Sequence, residues 1–404
     1  MHFGWTDEQT LWRRAVREFA QNKIAPRSRE IDATGRIPPE LIKGMAEMGL
    51  LAPTVSEQYG GQGMSVTLAT IAAEELGRAE ISLELQVMYL VMASWGYIFD
   101  RYAAAELKQE ILPRVTAGKA FLGIATTEPG GGSYIEGATR CKAERQANGD
   151  WLLNGEKMYI SGIREELALG GCHLTLVRTD PTAGHRGFTF FAVPLKDNPH
   201  VTTTLVEDWG RQGISTGGFN MDNLPLPDTH RIGEANRGFY YAMEGFTFAR
   251  ILIGATCVGC AEAGLQMGVE YIRQRKAFGR PLATNQGISF PAAERFTDIE
   301  TARLLTYKAA WMADELYANA TFKHKDVALA AAMAKLRAPI MAFETLNEVA
   351  NWLGAMGYTK EYPIEMGIRG VRSYSIGAEG AMNIMRMIIA RELIGGEYTS
   401  PRGA

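Results

Sequence analysis

Trp151-Leu-Leu-Asn154-Gly155-Glu-Lys-Met-Tyr-Ile160 breaks a chain that is helical in character on both sides of it. Asn-Gly supplies the positive φ angles of a type I′ turn, so the stretch predicts a β-hairpin turning at Asn154-Gly155. Outward from it, Gly187-Phe-Thr-Phe-Phe-Ala-Val193 and Val201-Thr-Thr-Thr-Leu-Val206 predict further strands. Short runs of Phe, Thr, Val and Leu alternate here with Gly, Asn, Asp and Pro. Residues 120–234 therefore predict a small all-β domain.

Toward the N-terminus, residues 7–119 predict helices. Leu11, Ala15, Phe19, Ala20 and Ile24 recur at three- and four-residue steps, with Arg13, Arg14, Arg17 and Glu18 between them. Pro38-Pro39 opens another helix that Gly49 helps to close. Residues 65–78 and 83–103 predict two more. The second carries Leu85, Met88, Tyr89, Met92 and Trp95 on a wide apolar face, which reads as core or as one wall of an apolar pocket. Toward the C-terminus, 238–275 holds no proline, and 287–319 and 326–353 are Ala-rich and periodic. A last helix over 379–394 sets Met382, Met385, Ile389 and Leu393 on one stripe. Long helices with short connections predict an up-and-down bundle.

A chain of 404 residues exceeds one ordinary core, so two or three domains are expected. With 46% hydrophobic and 22% charged residues it falls in the soluble globular range. A net charge of -3 leaves no broad footprint for nucleic acid, though a local phosphate site remains open. No apolar run is expected to cross a bilayer. Met1 to Glu8 lacks the basic-then-apolar pattern of a secretory signal. A cytoplasmic location is expected, without nucleic acid or membrane as partner. Cys141, Cys172, Cys257 and Cys260 are too few for a disulfide framework. Cys257-Val-Gly-Cys260 has the spacing of a redox or metal pair. It sits in a helical stretch with no nearby histidine and no second pair, so two small buried residues are the favoured reading and no metal is expected.

Four clusters are candidates for chemistry. Thr126-Thr127-Glu128-Pro129-Gly130-Gly131-Gly132-Ser133 follows a predicted strand. Its glycines allow close backbone approach to a ligand; a flexible loop is the other reading. Arg275-Lys-Ala-Phe278-Gly279-Arg280 through Gln286 lies at a break between helices. It offers two guanidinium groups and a ring to a phosphate-bearing ligand, or is a basic helix end with a turn. Asn351-Trp-Leu-Gly354-Ala-Met-Gly357-Tyr358 permits close approach or simply stops a helix. Gly377-Ala378-Glu379-Gly380 sets one carboxylate between glycines at the mouth of an apolar helix. Helix-end N–H groups favour its anion and apolar surroundings oppose it, as for a tunable base; a first-turn Glu complementing the dipole is the alternative.

In this order, across a helical–β–helical layout, the clusters resemble the acyl-CoA dehydrogenase family over nearly the whole chain. Thr127-Glu-Pro-Gly130 through Ser133 is similar to its TEPGxGSD signature, and Asn154-Gly-Glu-Lys157-Met-Tyr-Ile-Ser161 to its NGxKxWIT strand. Arg275 to Gln286 resembles RxxFGxxLxxxQ, and Leu353 to Tyr358 resembles LGGxGY. Ala378-Glu-Gly-Ala381 with Ile384, Arg386 and Ile389-Ala-Arg-Glu392 resembles YEGTxxIxRxxIARE. The resemblance implies an α+β fold, mostly α: an N-terminal helical domain (1–119), a middle small β-barrel domain (120–234) and a C-terminal four-helix bundle (235–404). It implies FAD as cofactor. Thr126, Thr127, Ser133, Tyr159 and Ser161 would line the flavin, while Arg275, Phe278, Gln286 and the backbone at Gly354 would bind phosphates and adenosine of FAD from a neighbouring subunit. Such sharing implies a homo-oligomer, which in the family resembled is usually a homotetramer.

Glu379 takes the position of the family's base, which removes the α-proton of an acyl-CoA thioester while hydride leaves the β-carbon for FAD, giving the 2-enoyl-CoA. The resemblance places Ser133, Arg250, Ala378 and Gly380 at the substrate, and the backbone N–H of Glu379 as a donor to the thioester oxygen. Some members carry the base on the earlier helix, at the position of Ala249, which takes no proton. An electron-transferring flavoprotein is the implied acceptor, in fatty or carboxylic acid catabolism. Tyr134 stands in place of Asp, Ala381 of Thr, Ala355 of Gly and Asn351 of Gln. Ala378 stands where a Tyr usually precedes the base, which opens room for a bulky acyl group: branched, alicyclic or arylalkyl. An acyl-CoA oxidase or flavin monooxygenase on the same scaffold, and a non-catalytic CoA-binding protein, are the competing expectations.

Overall fold

The computed structural model describes residues 4–399. The first part of the chain forms α1 (Asp7–Phe19), α2 (Ser28–Thr34), α3 (Pro39–Glu47), α4 (Val66–Ala79), α5 (Glu84–Tyr102) and α6 (Ala105–Thr116). The middle forms β1 (Phe121–Ala125), α7 (Ile135–Ala138), β2 (Lys142–Arg145), β3 (Trp151–Ser161), α8 (Ile163–Leu169), β4 (Gly171–Arg178), β5 (Phe188–Val193), β6 (Val201–Val206), β7 (Thr216–Leu226) and β8 (Arg231–Ile232). The last part forms α9 (Gly238–Gln274), β9 (Lys276–Ala277), β10 (Arg280–Pro281), α10 (Gln286–Asn319), α11 (His324–Leu353), α12 (Ile364–Ile376), α13 (Met382–Ile394) and α14 (Gly396–Thr399). Two packed units emerge. One comprises Met1–Thr34, Ser65–Gln86 and Arg250–Ala404; the other comprises Gly35–Met64 and Val87–Ala249.

The first unit is a helical bundle. α10 and α11 lie along each other, joined by only a few residues, and α11 also packs on α12 and α13. Its Ala-rich sequence explains this: Ala330, Ala331, Ala334, Ala338 and Ala342 are buried, and small side chains let neighbouring helices approach closely. α4 meets α9 backbone to backbone. A Cβ on Gly77 would stand 2.4 Å from the Thr256 carbonyl oxygen, and one on Gly259 would stand 2.0 Å from that of Glu74. Glu75 is buried beside them and accepts from Arg13 Nε and Arg17 Nε at 2.8 Å each, which ties α1 to α4. Arg78 Nη2 donates to Glu262 at 2.7 Å and ties α4 to α9. By length and composition α9 is apolar enough to cross a membrane, against the expectation from sequence, but most of that stretch is buried inside the protein, as in the core helix of a bundle.

The second unit is built on one eight-stranded sheet in the order β6-β7-β3-β2-β4-β5-β8, with β1 paired parallel to β4. Ala125, Ala143, Trp151, Leu153, Val177, Phe191, Phe219 and Leu226 meet in one core, so six strands turn a face toward the same interior. The strands of the expected small barrel domain thus enclose one interior, and among the described residues their order runs from β6 to β8. β3 is continuous through Asn154-Gly155, which corrects the expected turn there. Gly155 has φ +128° and lies at a register shift against β7, between Leu153 and Gly155. A Cβ at this position would stand 2.6 Å from Cys141 Sγ, so the glycine serves a bulge against its neighbour strand. The turn lies earlier: β2 and β3 pair from Arg145 and Trp151, and Gly149 at φ +93° donates its N–H to the Gln146 carbonyl at 2.9 Å.

Candidate active site

In the first unit α12 stops at Gly377, and the chain turns before α13 begins at Met382 with Ala381 as its N-cap. Glu379 therefore precedes α13 instead of lying in its first turn, which corrects the expected helix over 379–394. The N–H of Gly380 donates to the Gly377 carbonyl at 2.9 Å, closing the turn. Glu379 has φ +52° and Gly380 φ +108°. A left-handed conformation costs an ordinary residue about 1–2 kcal/mol, so Glu379 stays there only because its surroundings hold it.

Two buried cations provide that hold. Arg250 on α9 donates from Nε to the Glu379 carbonyl at 2.9 Å. Lys335 on α11 donates from Nζ to the Gly380 carbonyl. Arg250 is 4% exposed and Lys335 0%. Burial pulls the Arg250 guanidinium down to about 10, against the attraction of Glu379. Burial, then repulsion from Arg250, pulls the Lys335 ammonium down to about 8. A Cβ on Gly380 would stand 3.2 Å from Met385 Cε and 3.3 Å from Arg250 Nη2, so a side chain there presses on both α13 and the guanidinium. The structure thus joins Glu379, Gly380 and Arg250 and adds Lys335, which the sequence reading missed. One signal was present: Lys335 interrupts the apolar run Ala330-Ala-Ala-Met-Ala334 and shares its buried face with Ala331 and Ala338.

In the second unit the glycine loop leaves β1 and is pinned to β3. Met158 N–H donates to the Thr127 carbonyl at 3.0 Å, and Lys157 Nζ to the Thr126 carbonyl at 3.3 Å. Lys157 is fully buried and meets the buried Glu128 carboxylate at 2.7 Å. Glu128 also accepts from the N–H groups of Arg140 at 2.5 Å and Cys141 at 3.2 Å. Burial, the largest single influence, would raise its pKa, but the Lys157 charge and the hydrogen bonds from Lys157, Arg140 and Cys141 together outweigh it and hold it below the ordinary carboxylate value. The Glu and Lys of the two quoted motifs are therefore a structural pair that fixes the loop. The strand shifts register again between Met158 and Ile160, and Tyr159 there has φ +60° and stands 64% exposed. Such a bulge re-aims one side chain out of the sheet. Thr126 and Thr127 are half-buried beside it, Ser161 ends the same strand, and Ser133 lies exposed in the loop. Tyr134 lays its ring against Gly137, where an added Cβ would stand 1.9 Å from Tyr134 Cε1.

Back in the first unit, Lys276–Ala277 and Arg280–Pro281 pair as a small ribbon turned by Phe278 and Gly279 at φ +51° and +79°. The region is thus a hairpin and not only a helix end. Its tip presents Phe278 at full exposure, with Arg275 exposed at its base and Gln286 exposed at the start of α10. Gly354, with φ +60°, caps the end of α11, and nearby Tyr358 is 97% exposed. Cys257 and Cys260 are free, fully buried thiols on α9, with burial pushing both pKa values far up. They are core residues. Met88, Tyr89, Met92 and Trp95 are buried too, and Trp95 packs edge-on against Phe246 and Phe190 in the second unit. The core reading of that helix face holds within the unit. Ala249, at the alternative base position, is fully buried.

Comparison with known proteins matches the chain to the acyl-CoA dehydrogenase N-terminal domain over residues 6–119, the middle domain over 123–224 and the C-terminal domain over 236–394. An acyl-CoA dehydrogenase of Bacillus subtilis is 36% identical over 396 residues, covering 97% of this chain and 99% of that protein. The solved glutaryl-coenzyme A dehydrogenase–glutaryl-CoA complex superposes with a TM-score of 0.88 at 30% identity, covering 100% of this chain and 99% of that one. A structure from work on the electron transferring flavoprotein of Acidaminococcus fermentans has a TM-score of 0.89 at 28% identity, covering 98% of this chain and 100% of that one.

Proposed function

The chain belongs to the acyl-CoA dehydrogenase family, and from that premise we propose that it dehydrogenates an acyl-CoA at its α and β carbons, with Glu379 as the base. It is an oxidoreductase acting on acyl-CoA and a flavoprotein that uses FAD. The residues present fit that cofactor. Gly131 at φ +148° and Gly132, whose Cβ would stand 3.0 Å from Thr127 Oγ1, form a backbone cradle that side chains would fill. Thr126, Thr127, Ser133, Tyr159 and Ser161 would hold the flavin's polar edge. Arg275, Phe278, Gln286 and the backbone at Gly354 would hold the phosphates and adenosine of an FAD bound to a neighbouring subunit. A wholly exposed phenyl ring beside an arginine supports that sharing, and with it a homotetramer. FAD, when bound, supplies the hydride acceptor.

The observation that carries the proposal is the turn at Glu379: a half-buried carboxylate on a backbone fixed through its own carbonyl by Arg250. Glu379 takes the α-proton. Its backbone N–H is the donor proposed for the thioester oxygen, where negative charge gathers as the proton leaves. Buried Arg250 keeps the turn and adds positive charge close to the carboxylate, which favours the anion a base requires. The proposed acceptor of the electrons is an electron-transferring flavoprotein, and the proposed location is cytoplasmic.

Ala378 sets the substrate class in this reading. A methyl group directly before the base leaves room near the reacting carbons for a branched, alicyclic or arylalkyl acyl group. Ala378→Tyr is expected to lower kcat/KM for such substrates at least about tenfold, in the range that a filled pocket costs, and to spare straight-chain acyl-CoAs. Steady-state assays across both substrate classes check this. An equal loss for straight chains contradicts the assignment of Ala378.

A further inference from the structure

We propose that Lys335 is a positioning residue for the base: its Nζ fixes the Gly380 carbonyl and so sets where the Glu379 carboxylate points. This rests on the reading of Glu379 as the base. Three observations carry it. First, Gly380 imposes no conformation of its own, because glycine is free to occupy φ values on both sides of zero. The φ of +108° it holds must be imposed from outside. Second, the turn has two successive peptide carbonyls, of Glu379 and Gly380, and each receives one buried cation, from Arg250 and Lys335. Arg250 reaches the peptide after Glu379 and Lys335 the one that follows, so the two cations hold different carbonyls of the same turn. Third, a fully buried ammonium is a costly way to fill space in a helix bundle. A Met or Leu would pack there without desolvation cost, so Lys335 is the residue of choice for what its Nζ–H does. A purely structural lysine is the competing view, and it predicts that Lys335 matters for stability and not for the chemical step.

The test uses the FAD-loaded enzyme with its best acyl-CoA. Lys335→Met keeps the stem and removes the donor. Lys335→Gln keeps an N–H donor and removes the charge. Glu379→Gln is the control. Lys335→Met is expected to keep its flavin, its melting temperature and its KM within about threefold, while flavin reduction slows about 10- to 100-fold, as a misplaced reacting group does. Lys335→Gln is expected to recover much of that rate, since a neutral donor still reaches the carbonyl. Reduction by Lys335→Met at the wild-type rate, with Glu379→Gln inactive, overturns the role of Lys335 and leaves the base in place. Equal loss in Met and Gln variants, accompanied by flavin loss and a raised KM, overturns it in favour of structure alone. Full activity in Glu379→Gln instead removes the base reading itself. Lys335→Leu takes the place of Lys335→Met if the latter does not fold, with the same expected slowing and the same contrary result.

Discussion

Glu379→Gln is expected to slow flavin reduction by acyl-CoA on the order of 10²- to 10⁴-fold, the usual worth of a positioned general base. Glutamine has the size and shape of glutamate but takes no proton at neutral pH. The contacts that shape the turn belong to the backbone: Arg250 donates to the residue 379 carbonyl, and Gly380 N–H to the Gly377 carbonyl. Both acceptors are main-chain carbonyls that Glu379→Gln retains, so the variant is expected to fold and to keep FAD. The other position from which the family draws its base is Ala249, which offers no replacement. Stopped-flow bleaching of the flavin under anaerobic conditions measures the loss directly. A variant with the wild-type reduction rate contradicts the assignment.

The second large effect is on stability. Glu128→Ala removes the counter-ion of Lys157, whose side chain is fully buried, and leaves the N–H groups of Arg140 and Cys141 without their carboxylate acceptor. Breaking a buried ion pair from one side costs about 3–5 kcal/mol. Urea unfolding of the variant is expected to show a loss of that order, together with weaker FAD retention, because Glu128 anchors the loop that carries Thr127 and Ser133. Replacing both partners, Glu128→Leu with Lys157→Met, is expected to recover the part of the loss due to the buried charge, while the Arg140 and Cys141 N–H groups stay without that acceptor. The pair also has a pH signature. Its folded-state carboxyl lies below the ordinary value of 4.5, so the stability it adds is present above that pH and is lost as pH falls through the lower folded value. A loss under about 1 kcal/mol for Glu128→Ala near neutral pH contradicts the role given to the pair.

What the sequence disclosed and what it concealed follow from how local each signal is. The strands Phe188–Val193 and Val201–Val206 and the helix Val66–Ala79 lie where composition and periodicity placed them, because neighbouring residues decide them. Asn154-Gly155 misled because the positive φ angle of Gly155 is real but serves a bulge in the pairing with β7, beside Cys141, which lies 14 residues away from Gly155 in the chain. The gathering of six strands around one core depends on pairings between strands far apart, and no short window contains it. Glu379 was legible through two flanking glycines and the family's order of motifs. The left-handed turn it occupies, and the cations that hold it, were not. Arg250 and Lys335 reach it from 129 and 45 residues away along the chain, measured to Glu379 and Gly380. Likewise the Glu of one motif and the Lys of the next were visible separately, but their pairing needs the fold that brings β1 and β3 together.

An anaerobic titration of the purified protein with straight-chain, branched and ring-containing acyl-CoAs, read on the flavin spectrum, tests the central claim most directly. Bleaching of the bound flavin with formation of the 2-enoyl-CoA is the expected result, strongest for a branched or ring-containing acyl group. A bound flavin that no acyl-CoA in the panel reduces contradicts it.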